Sequence, residues 1–260
     1  MIKLAANLSM LFQEVPFLQR FAAARAAGFR GVEFLFPYQW EPHELQTSLV
    51  ENGLEQVLFN MPPGNWDAGD RGLACLPTRQ QEFRDGVIEA IKYAQAMGTP
   101  RLHCMAGIAP QGADRAELLE TFVGNLKFAA GECAKFGLVL MVEPINPYDV
   151  PGYFLNTSSQ ALEVMSAVAA ENLRLQYDIY HMHRMGDDMP AVISKTIHQI
   201  GHFQIAGHPG RHEPDNGEVP YQEVLETIGR LDFSGWIGCE YLPANSTQSG
   251  LGWASALLKN

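Results

Sequence analysis

The sequence RLHCMAGIAPQGADRAELLETFVGNLKFAAGECAKFGLVLMVEP, residues 101–144, contains one full copy of a pattern that runs through the whole chain. A short apolar run (101–107) is followed by a helical stretch and by a second apolar run (138–144). Apolar residues of the helical stretch step by three and four, as one buried helix face requires. These residues are Leu118, Phe122, Leu126, Ala129, Cys133 and Phe136. We therefore interpret 101–144 as a strand, a helix and a second strand.

The same alternation extends outward in both directions and gives eight short β-like runs. They are IKLAAN (2–7), GVEFLF (31–36), EQVLFN (55–60), RLHCMAG (101–107), LVLMVEP (138–144), LRLQYD (173–178), HFQIAG (202–207) and WIGCEY (236–241). Several are apolar on both alternating faces, as parallel strands covered on each side should be. Before most of them a glycine stands where a left-handed residue ends a helix. These glycines are Gly28, Gly53, Gly98, Gly137, Gly201 and Gly235.

Eight such units over 260 residues have about 32 residues each, close to the spacing of a (β/α)8 barrel. The sequence thus predicts an α/β protein, a single (β/α)8 TIM barrel that spans residues 1–260 without a linker. A doubly wound open sheet is the alternative fold, but no phosphate-binding glycine motif follows any of the runs. The tail after the eighth run is predicted to form an extra helix or cap.

Composition excludes several classes of function. The chain has 18 Lys+Arg against 29 Asp+Glu, a net charge of −11, and 47% of its residues are hydrophobic. Such an acidic globular chain offers little cationic surface for nucleic acid or an anionic membrane. No run approaches the roughly 20 apolar residues of a membrane span, and the N-terminus is a weak signal peptide. Its four cysteines, without CxxC spacing, are predicted to be free buried thiols in a reducing compartment, and we expect a cytoplasmic protein.

Four oxygen-bearing side chains lie at the ends of the last four predicted strands. Glu143 follows the fifth, Asp178 ends the sixth, Gln204 lies in the seventh and Glu240 ends the eighth. Catalytic groups of a parallel barrel project from these strand ends, and acids there are costly to bury unless they are paired or metal-bound. Hard oxygen ligands with a formal charge of −3 suit Mg²⁺ or Mn²⁺ better than Zn²⁺.

Each of these residues also has a structural interpretation when it is taken singly. A lone Glu after a strand is often a helix cap or an Arg partner, and Gln204 alone is a typical interior amide. His181, His103 and Asn7 reach the barrel mouth or are satisfied by interior hydrogen bonds, and Glu33 is a secondary acceptor or an Arg partner. The loop 207–221 carries Arg211, whose guanidinium would offer a bidentate fork to a substrate carboxylate.

Several segments together resemble the hydroxypyruvate isomerase family, which belongs to the xylose isomerase-like barrel superfamily and includes 2-oxo-tetronate isomerases. The segments are AANLSMLFQEVPFLQRFAAARAAGF, VEFLFPY, MVEPIN, QYDIYH, HFQIAGHPGRHEPDNGEVPY and GWIGCEY. The resemblance covers the chain from near residue 5 to residue 253, and its block QIAG…GRHEPDNGE is specific.

This resemblance implies a divalent metal, Mg²⁺ or Mn²⁺, bound by Glu143, Asp178, Gln204 and Glu240. Glu143 and Glu240 would also be the catalytic acid/base pair. His181 matches a substrate-contacting His of related ketose 3-epimerases, and Arg211, also expected to bind substrate, matches an Arg in the same loop. Those epimerases have His where Gln204 stands here. The implied reaction is the interconversion of hydroxypyruvate and tartronate semialdehyde through an enediolate.

The alternatives differ in substrate or in class. A 2-oxo-tetronate is the nearest one, and the loops 60–72 and 145–154 would set the pocket depth that separates it from hydroxypyruvate. A ketose 3-epimerase is disfavoured by Gln204. An apurinic endonuclease would need a His-rich metal cluster and a basic surface, and a sugar-acid sensor would not need both glutamates. The oligomeric state, including a homo-oligomer, stays open at this point.

Overall fold

The computed structural model describes residues 2–258, in which eight strands alternate with helices. The strands are β1 (Lys3–Asn7), β2 (Gly31–Phe34), β3 (Glu55–Asn60), β4 (Arg101–His103), β5 (Val139–Val142), β6 (Leu173–Asp178), β7 (Ile200–Ile205) and β8 (Trp236–Cys239). The helices are α1 (Phe17–Ala26), α2 (Pro42–Asn52), α3 (Gln80–Met97), α4 (Arg115–Ala134), α5 (Ser158–Val168), α6 (Ile179–Arg184), α7 (Met189–Thr196), α8 (Tyr221–Arg230) and α9 (Thr247–Gly250). Short 3₁₀ turns lie at Pro77–Arg79, Ile197–Gln199 and Leu251–Ala254.

Each strand pairs in parallel with the next one along the chain, and β8 pairs with β1 to close the barrel. The predicted (β/α)8 fold is therefore confirmed. The C-terminal ends of all eight strands lie at one mouth of the barrel, because every pairing is parallel. This arrangement is what brings the predicted strand-end residues together.

Strand boundaries agree best where a run is bounded by polar residues. The third and sixth runs match β3 and β6 residue for residue, whereas the fourth run was predicted four residues too long. β7 begins at Ile200, so Gly201 lies inside a strand and its interpretation as a helix end is wrong. A Cβ on Gly201 would lie 2.9 Å from the Cβ of Arg174, so the glycine serves close packing instead.

Gly235 is also not a helix end, because α8 stops at Arg230 and Asp232 is the residue with positive φ, 52°. The other four glycines that were predicted to end helices have positive φ. The predicted face of α4 is buried from Leu118 to Cys133. Phe136, in contrast, lies beyond the helix and is 47% exposed, which corrects the prediction for that residue.

The C-terminal segment forms the expected cap, made by α9 and the following 3₁₀ turn. Thr247 Oγ1 accepts a hydrogen bond from the backbone N–H of Phe12 at 2.7 Å, and the Glu14 carboxylate accepts one from Thr247 N. All four cysteines are free and buried, as predicted. Within residues 2–258 the search for membrane-spanning helices found none of sufficient length and apolarity.

Candidate active site

The four predicted strand-end residues are all buried at the same mouth of the barrel. Glu143 follows β5, Asp178 is the last residue of β6, Gln204 lies in β7 and Glu240 follows β8. The apolar part of the barrel interior, which includes Met141 and Trp236, fills the opposite end. The interior thus changes from apolar to polar along the strands, and the acids stand at the polar end.

Asp178 divides its two carboxylate oxygens between two roles. Oδ1 caps α6 by accepting the backbone N–H of Tyr180 at 2.8 Å. Oδ2 is buried and has no hydrogen-bond partner among the described residues. It lies 3.5 Å from Arg211 Nη2 and 3.6 Å from His181 Nε2. A buried carboxylate oxygen without a hydrogen bond is a position that a bound cation or a substrate proton would satisfy.

Glu240 is held from two sides. Arg211 Nη2 donates to its Oε2 at 2.8 Å, and Asn7 Nδ2 donates to its Oε1 at 3.2 Å. Burial nevertheless raises the pKa of Glu240 to about 8, against the opposing effect of Arg211. Burial also raises the pKa of Asp178 to about 6. These carboxyl groups therefore hold protons at a higher pH than exposed ones do.

Glu143 lies within reach of both predicted histidines. Its Oε2 accepts a hydrogen bond from Gln176 Nε2 at 2.9 Å and lies 3.6 Å from His103 Nδ1, while Oε1 lies 3.9 Å from His181 Nε2. Burial raises the pKa of Glu143 well above its usual value, and the charges of Glu240 and Asp178 raise it further. The two predicted acid/base residues thus act on each other electrostatically across the site.

The tautomer of His181 is fixed by Asn146. Asn146 Oδ1 accepts the backbone N–H groups of Tyr148 and Asp149 at 3.1 and 3.0 Å, which leaves its amide nitrogen as the donor to His181 Nδ1 at 2.6 Å. Burial lowers the pKa of His181 well below its usual value, so the ring is neutral. Since Nδ1 accepts, the ring proton is on Nε2. His181 therefore faces Asp178 and Glu143 with an N–H donor.

His103 has the opposite arrangement. Its Nδ1 donates to Asn60 Oδ1 at 3.0 Å, and burial lowers its pKa to about 3, which keeps the ring neutral. Its Nε2 has no partner among the described residues and carries the lone pair. The site thus contains one histidine that donates and one that accepts.

Below the acids lies a second polar group of residues, centred on Glu33. Glu33 accepts hydrogen bonds from Asn7 Nδ2 at 3.0 Å, Gln204 Nε2 at 2.9 Å and His202 Nε2 at 2.6 Å. Gly238 makes room for it, because a Cβ there would lie 2.4 Å from both carboxylate oxygens. Because Gln204 donates to Glu33 through Nε2, its side-chain oxygen points away from Glu33. That oxygen accepts a hydrogen bond from Gln176 Nε2 at 2.6 Å.

Four further residues of the site were not predicted from the sequence: Gln176, His202, Asn60 and Asn146. A signal for the first two was present, because they stand two residues before Asp178 and Gln204 on their strands. Residues i and i+2 of a strand face the same side, so both belong to the barrel interior. For Asn60 and Asn146, which contact residues 43 and 35 positions away, no comparable signal exists.

A cavity of about 210 Å³ opens above the acids at the barrel mouth. Glu143, His103, His181, Arg211 and Glu240 all line it. The loops 60–72 and 145–154, which were expected to set its depth, supply much of the remaining wall: Asn60, Trp66, Arg71, Ile145, Asp149, Val150 and Tyr153. Asp178 and Gln204 lie deeper in the barrel.

The donor chemistry of the site fits a divalent cation. One ligand atom each of Glu143, Asp178 and His181 lies within 4.8 Å of the others, and Asp178 Oδ2 has no hydrogen bond. Because Nε2 of His181 carries a proton, the oxygen ligands of the set are the carboxylates of Glu143 and Asp178. The other two predicted ligands contact this pair indirectly. Gln176 links Gln204 to Glu143, and Arg211 links Glu240 to Asp178. Hard oxygen donors of this kind match Mg²⁺ or Mn²⁺.

Comparison with known proteins adds relatives over the full length of the chain. A hydroxypyruvate isomerase of Escherichia coli (strain K12) is 46% identical over 253 residues, which are 97% of this chain and 98% of that protein. A 2-oxo-tetronate isomerase of Cupriavidus necator is 48% identical over 258 residues, 99% of each chain. A crystal structure described as an AP endonuclease, family 2, from Brucella melitensis matches with a TM-score of 0.96 and 44% identity over 98% of this chain and 99% of that one.

The model of the xylose isomerase-like TIM barrel family matches residues 21–257, nearly the entire barrel. This match and the relatives above confirm the resemblance that the sequence motifs indicated. The chain therefore belongs to the xylose isomerase-like TIM barrel family and, within it, to the group of hydroxypyruvate isomerases and 2-oxo-tetronate isomerases, and it is an isomerase.

Proposed function

We propose that this isomerase interconverts hydroxypyruvate and tartronate semialdehyde with the help of a divalent metal. The observation that carries the proposal is the placement of Glu143 and Glu240 on one cavity, each with a raised pKa. A 1,2 carbonyl shift moves one proton between neighbouring carbons, and two carboxyl groups of this kind are suited to take and return it. The relatives named above support the same class of reaction.

The reaction begins when one glutamate removes a proton from the hydroxyl-bearing carbon of the substrate. The electron pair of the broken C–H bond forms the C=C bond of an enediolate, and the hydroxyl proton passes to the former carbonyl oxygen. The other glutamate then delivers a proton to the former carbonyl carbon, which leaves the new carbonyl group at the carbon that lost its proton. Glu143 and Glu240 fill these two roles. Burial helps because a carboxyl group with a pKa close to the working pH both accepts and donates protons readily.

The remaining predicted residues orient the substrate. His181 Nε2 donates a hydrogen bond to a substrate oxygen, and His103 Nε2 accepts one from a substrate hydroxyl. Arg211, whose Nη2 is bonded to Glu240, offers its other N–H donors to an oxygen at the reacting end.

We place the cation, Mg²⁺ or Mn²⁺, on Glu143, Asp178, Gln204 and Glu240. When bound, it supplies positive charge that stabilises the negative oxygens of the enediolate. A 2-oxo-tetronate is the second candidate substrate, favoured by the relative at 48% identity. It has the same reacting atoms and one more carbon, so the loops 60–72 and 145–154 would decide between the two.

The test compares metal-stripped protein with protein reloaded with Mg²⁺ or Mn²⁺. Hydroxypyruvate and a 2-oxo-tetronate are offered in deuterated water, and NMR follows both product formation and exchange of the carbon-bound proton. We expect metal-dependent conversion and deuterium incorporation, and the ratio of kcat/KM values identifies the preferred substrate. A folded, metal-loaded sample that neither exchanges nor converts either acid would overturn the proposal.

A matched pair of variants tests the glutamate pair directly. Glu240→Gln keeps the size of the side chain and one acceptor oxygen for Arg211 but removes its proton transfer, so turnover should fall by roughly 10²–10⁴-fold. Glu226→Gln changes an exposed carboxylate on α8 that contacts Gln222 and should leave turnover unchanged. Unchanged turnover in Glu240→Gln would remove Glu240 from the mechanism.

A further inference from the structure

We propose that Arg71 binds the carboxylate of the substrate and thereby selects acids over uncharged ketoses, an inference that rests on the proposed function. Arg71 lies in the loop 60–72 between β3 and α3 and lines the same cavity as Glu143 and Glu240. From the sequence, the carboxylate-binding guanidinium is expected to be that of Arg211 instead. The structure offers two arginines at the cavity, and their surroundings differ.

Arg71 is held in a fixed position. Its guanidinium carbon lies 3.8 Å from the ring centroid of Trp66, a cation–π contact. Its Nη1 donates to the backbone oxygens of Trp66 and Asp70 at 3.1 and 2.6 Å. Asp70 is in turn bound by Arg79 Nη1 at 2.7 Å. A guanidinium fixed in this way loses little conformational entropy when it binds a ligand.

The charge of Arg71 has no acidic partner within residues 2–258. No carboxylate oxygen in that range lies within 4.0 Å of its guanidinium, and its Nε and Nη2 make no hydrogen bond there. Arg211, in contrast, has Glu240 at 2.8 Å and Asp178 at 3.5 Å, and Arg184 is paired with Asp149. Among these arginines, Arg71 alone has no acidic partner within the described residues, and its Nε and Nη2 form a free edge.

The cavity that Arg71 lines also has apolar walls, made in part by Met10, Leu35, Met105 and Ile145. Apolar walls reduce the competition of water for a bound carboxylate. Carboxylate binding by two parallel N–H groups is the geometry that a guanidinium edge provides.

The test uses two substrates that differ only at the proposed contact. Dihydroxyacetone has a CH2OH group where hydroxypyruvate has its carboxylate, and both carry the reacting ketone and primary alcohol. We expect Arg71→Gln to lower kcat/KM for hydroxypyruvate by roughly 10–100-fold, mainly through KM, and to leave that for dihydroxyacetone nearly unchanged. Arg71→Lys, which keeps the charge but loses the fork, should lie between. Lys135→Gln removes an exposed positive charge paired with Glu132 and is the control for net charge.

If Arg71 only held the loop in place, Arg71→Gln would lower kcat/KM equally for both substrates. An unchanged ratio of kcat/KM for hydroxypyruvate to kcat/KM for dihydroxyacetone would therefore overturn the inference. Calorimetry with D-glycerate, which has the carboxylate but no ketone group, measures binding at this contact without turnover. Glycerate should bind Arg71→Gln at least tenfold more weakly than wild type; equal binding would also overturn the inference. If wild-type protein converts neither acid but binds glycerate through Arg71, the proposed function fails while the carboxylate site stands.

Discussion

The two carboxylate oxygens of Asp178 have different roles in the protein. One oxygen belongs to the fold, because it caps α6, and the other is buried without a hydrogen bond. One oxygen of this carboxylate therefore caps a helix, and the other, although buried, is available as a ligand for a cation. From the sequence, only the acid and its position at a strand end were predictable.

The tautomer of His181 is a second property at this scale, and Asn146 controls it. Asn146→Asp keeps the oxygen that accepts from Tyr148 and Asp149 but puts a second acceptor opposite His181 Nδ1. The ring proton should then move from Nε2 to Nδ1, and the donor toward the substrate is lost. We expect kcat/KM to fall about tenfold, the contribution of one hydrogen bond.

Nitrogen-15 NMR of the histidine rings measures this shift, since protonated and unprotonated ring nitrogens resonate far apart. Asn52→Asp, on α2 and remote from the cavity, is the control. If Nε2 of His181 keeps its proton in Asn146→Asp, the assigned role of Asn146 is wrong.

At the scale of elements, strands and loops contribute different parts of the site. The strands supply the acids and the polar group beneath them, because inward-facing residues two positions apart share a side. Gln176 with Asp178 on β6 and His202 with Gln204 on β7 are the examples. The loops supply much of the cavity wall, including Arg71 and Trp66.

The loop 60–72 depends on Gly72 for its position. Gly72 has a φ of 103°, and a Cβ there would lie 2.3 Å from the backbone oxygen of Met105. Gly69 has nearly the same φ, 99°, but nothing lies within 4 Å of its Cβ position. Both Gly→Ala changes should therefore cost the roughly 1–2 kcal/mol of a left-handed alanine, and Gly72→Ala about 1–3 kcal/mol more from the clash.

Urea unfolding of the two variants separates these contributions. We also expect Gly72→Ala, but not Gly69→Ala, to raise KM for the acid substrate, because it displaces the residue next to Arg71. Equal losses of unfolding free energy in the two variants would show that the loop yields to the added methyl group.

At the scale of the whole molecule, closure of the barrel brings three carboxylates into one buried space. Burial and mutual repulsion raise the pKa of Asp178 to about 6 and that of Glu240 to about 8. The unfolded chain releases these protons near pH 4, whereas the metal-free folded chain retains them to higher pH. Folding of the metal-free protein therefore becomes less favourable as the pH rises from about 4 to 8.

A divalent cation should reverse this trend, since it binds the ionised carboxylates. We expect the unfolding free energy of the metal-free protein to fall between pH 5 and pH 8. Mg²⁺ or Mn²⁺ should stabilise the protein more at pH 8 than at pH 6, and its binding should release protons. Denaturant unfolding at several pH values, and calorimetry in buffers of different ionisation enthalpy, provide the measurements. A metal-induced stabilisation that is the same at both pH values, without proton release, would contradict the assigned ligands.

The sequence by itself determined the number and order of the strands, the barrel, and four polar residues at its mouth. It could do so because alternation along a strand and the three-to-four spacing of a helix are local properties of the chain. Only the tertiary structure decided which oxygen of Asp178 has no hydrogen bond within residues 2–258, which nitrogen of His181 carries the proton, and that Arg71 rather than Arg211 lacks an acidic partner in the same range. Each of these depends on contacts between residues far apart in sequence, such as Asn7 and Glu240 or Glu33 and His202. Such contacts exist only after the last strand has closed against the first.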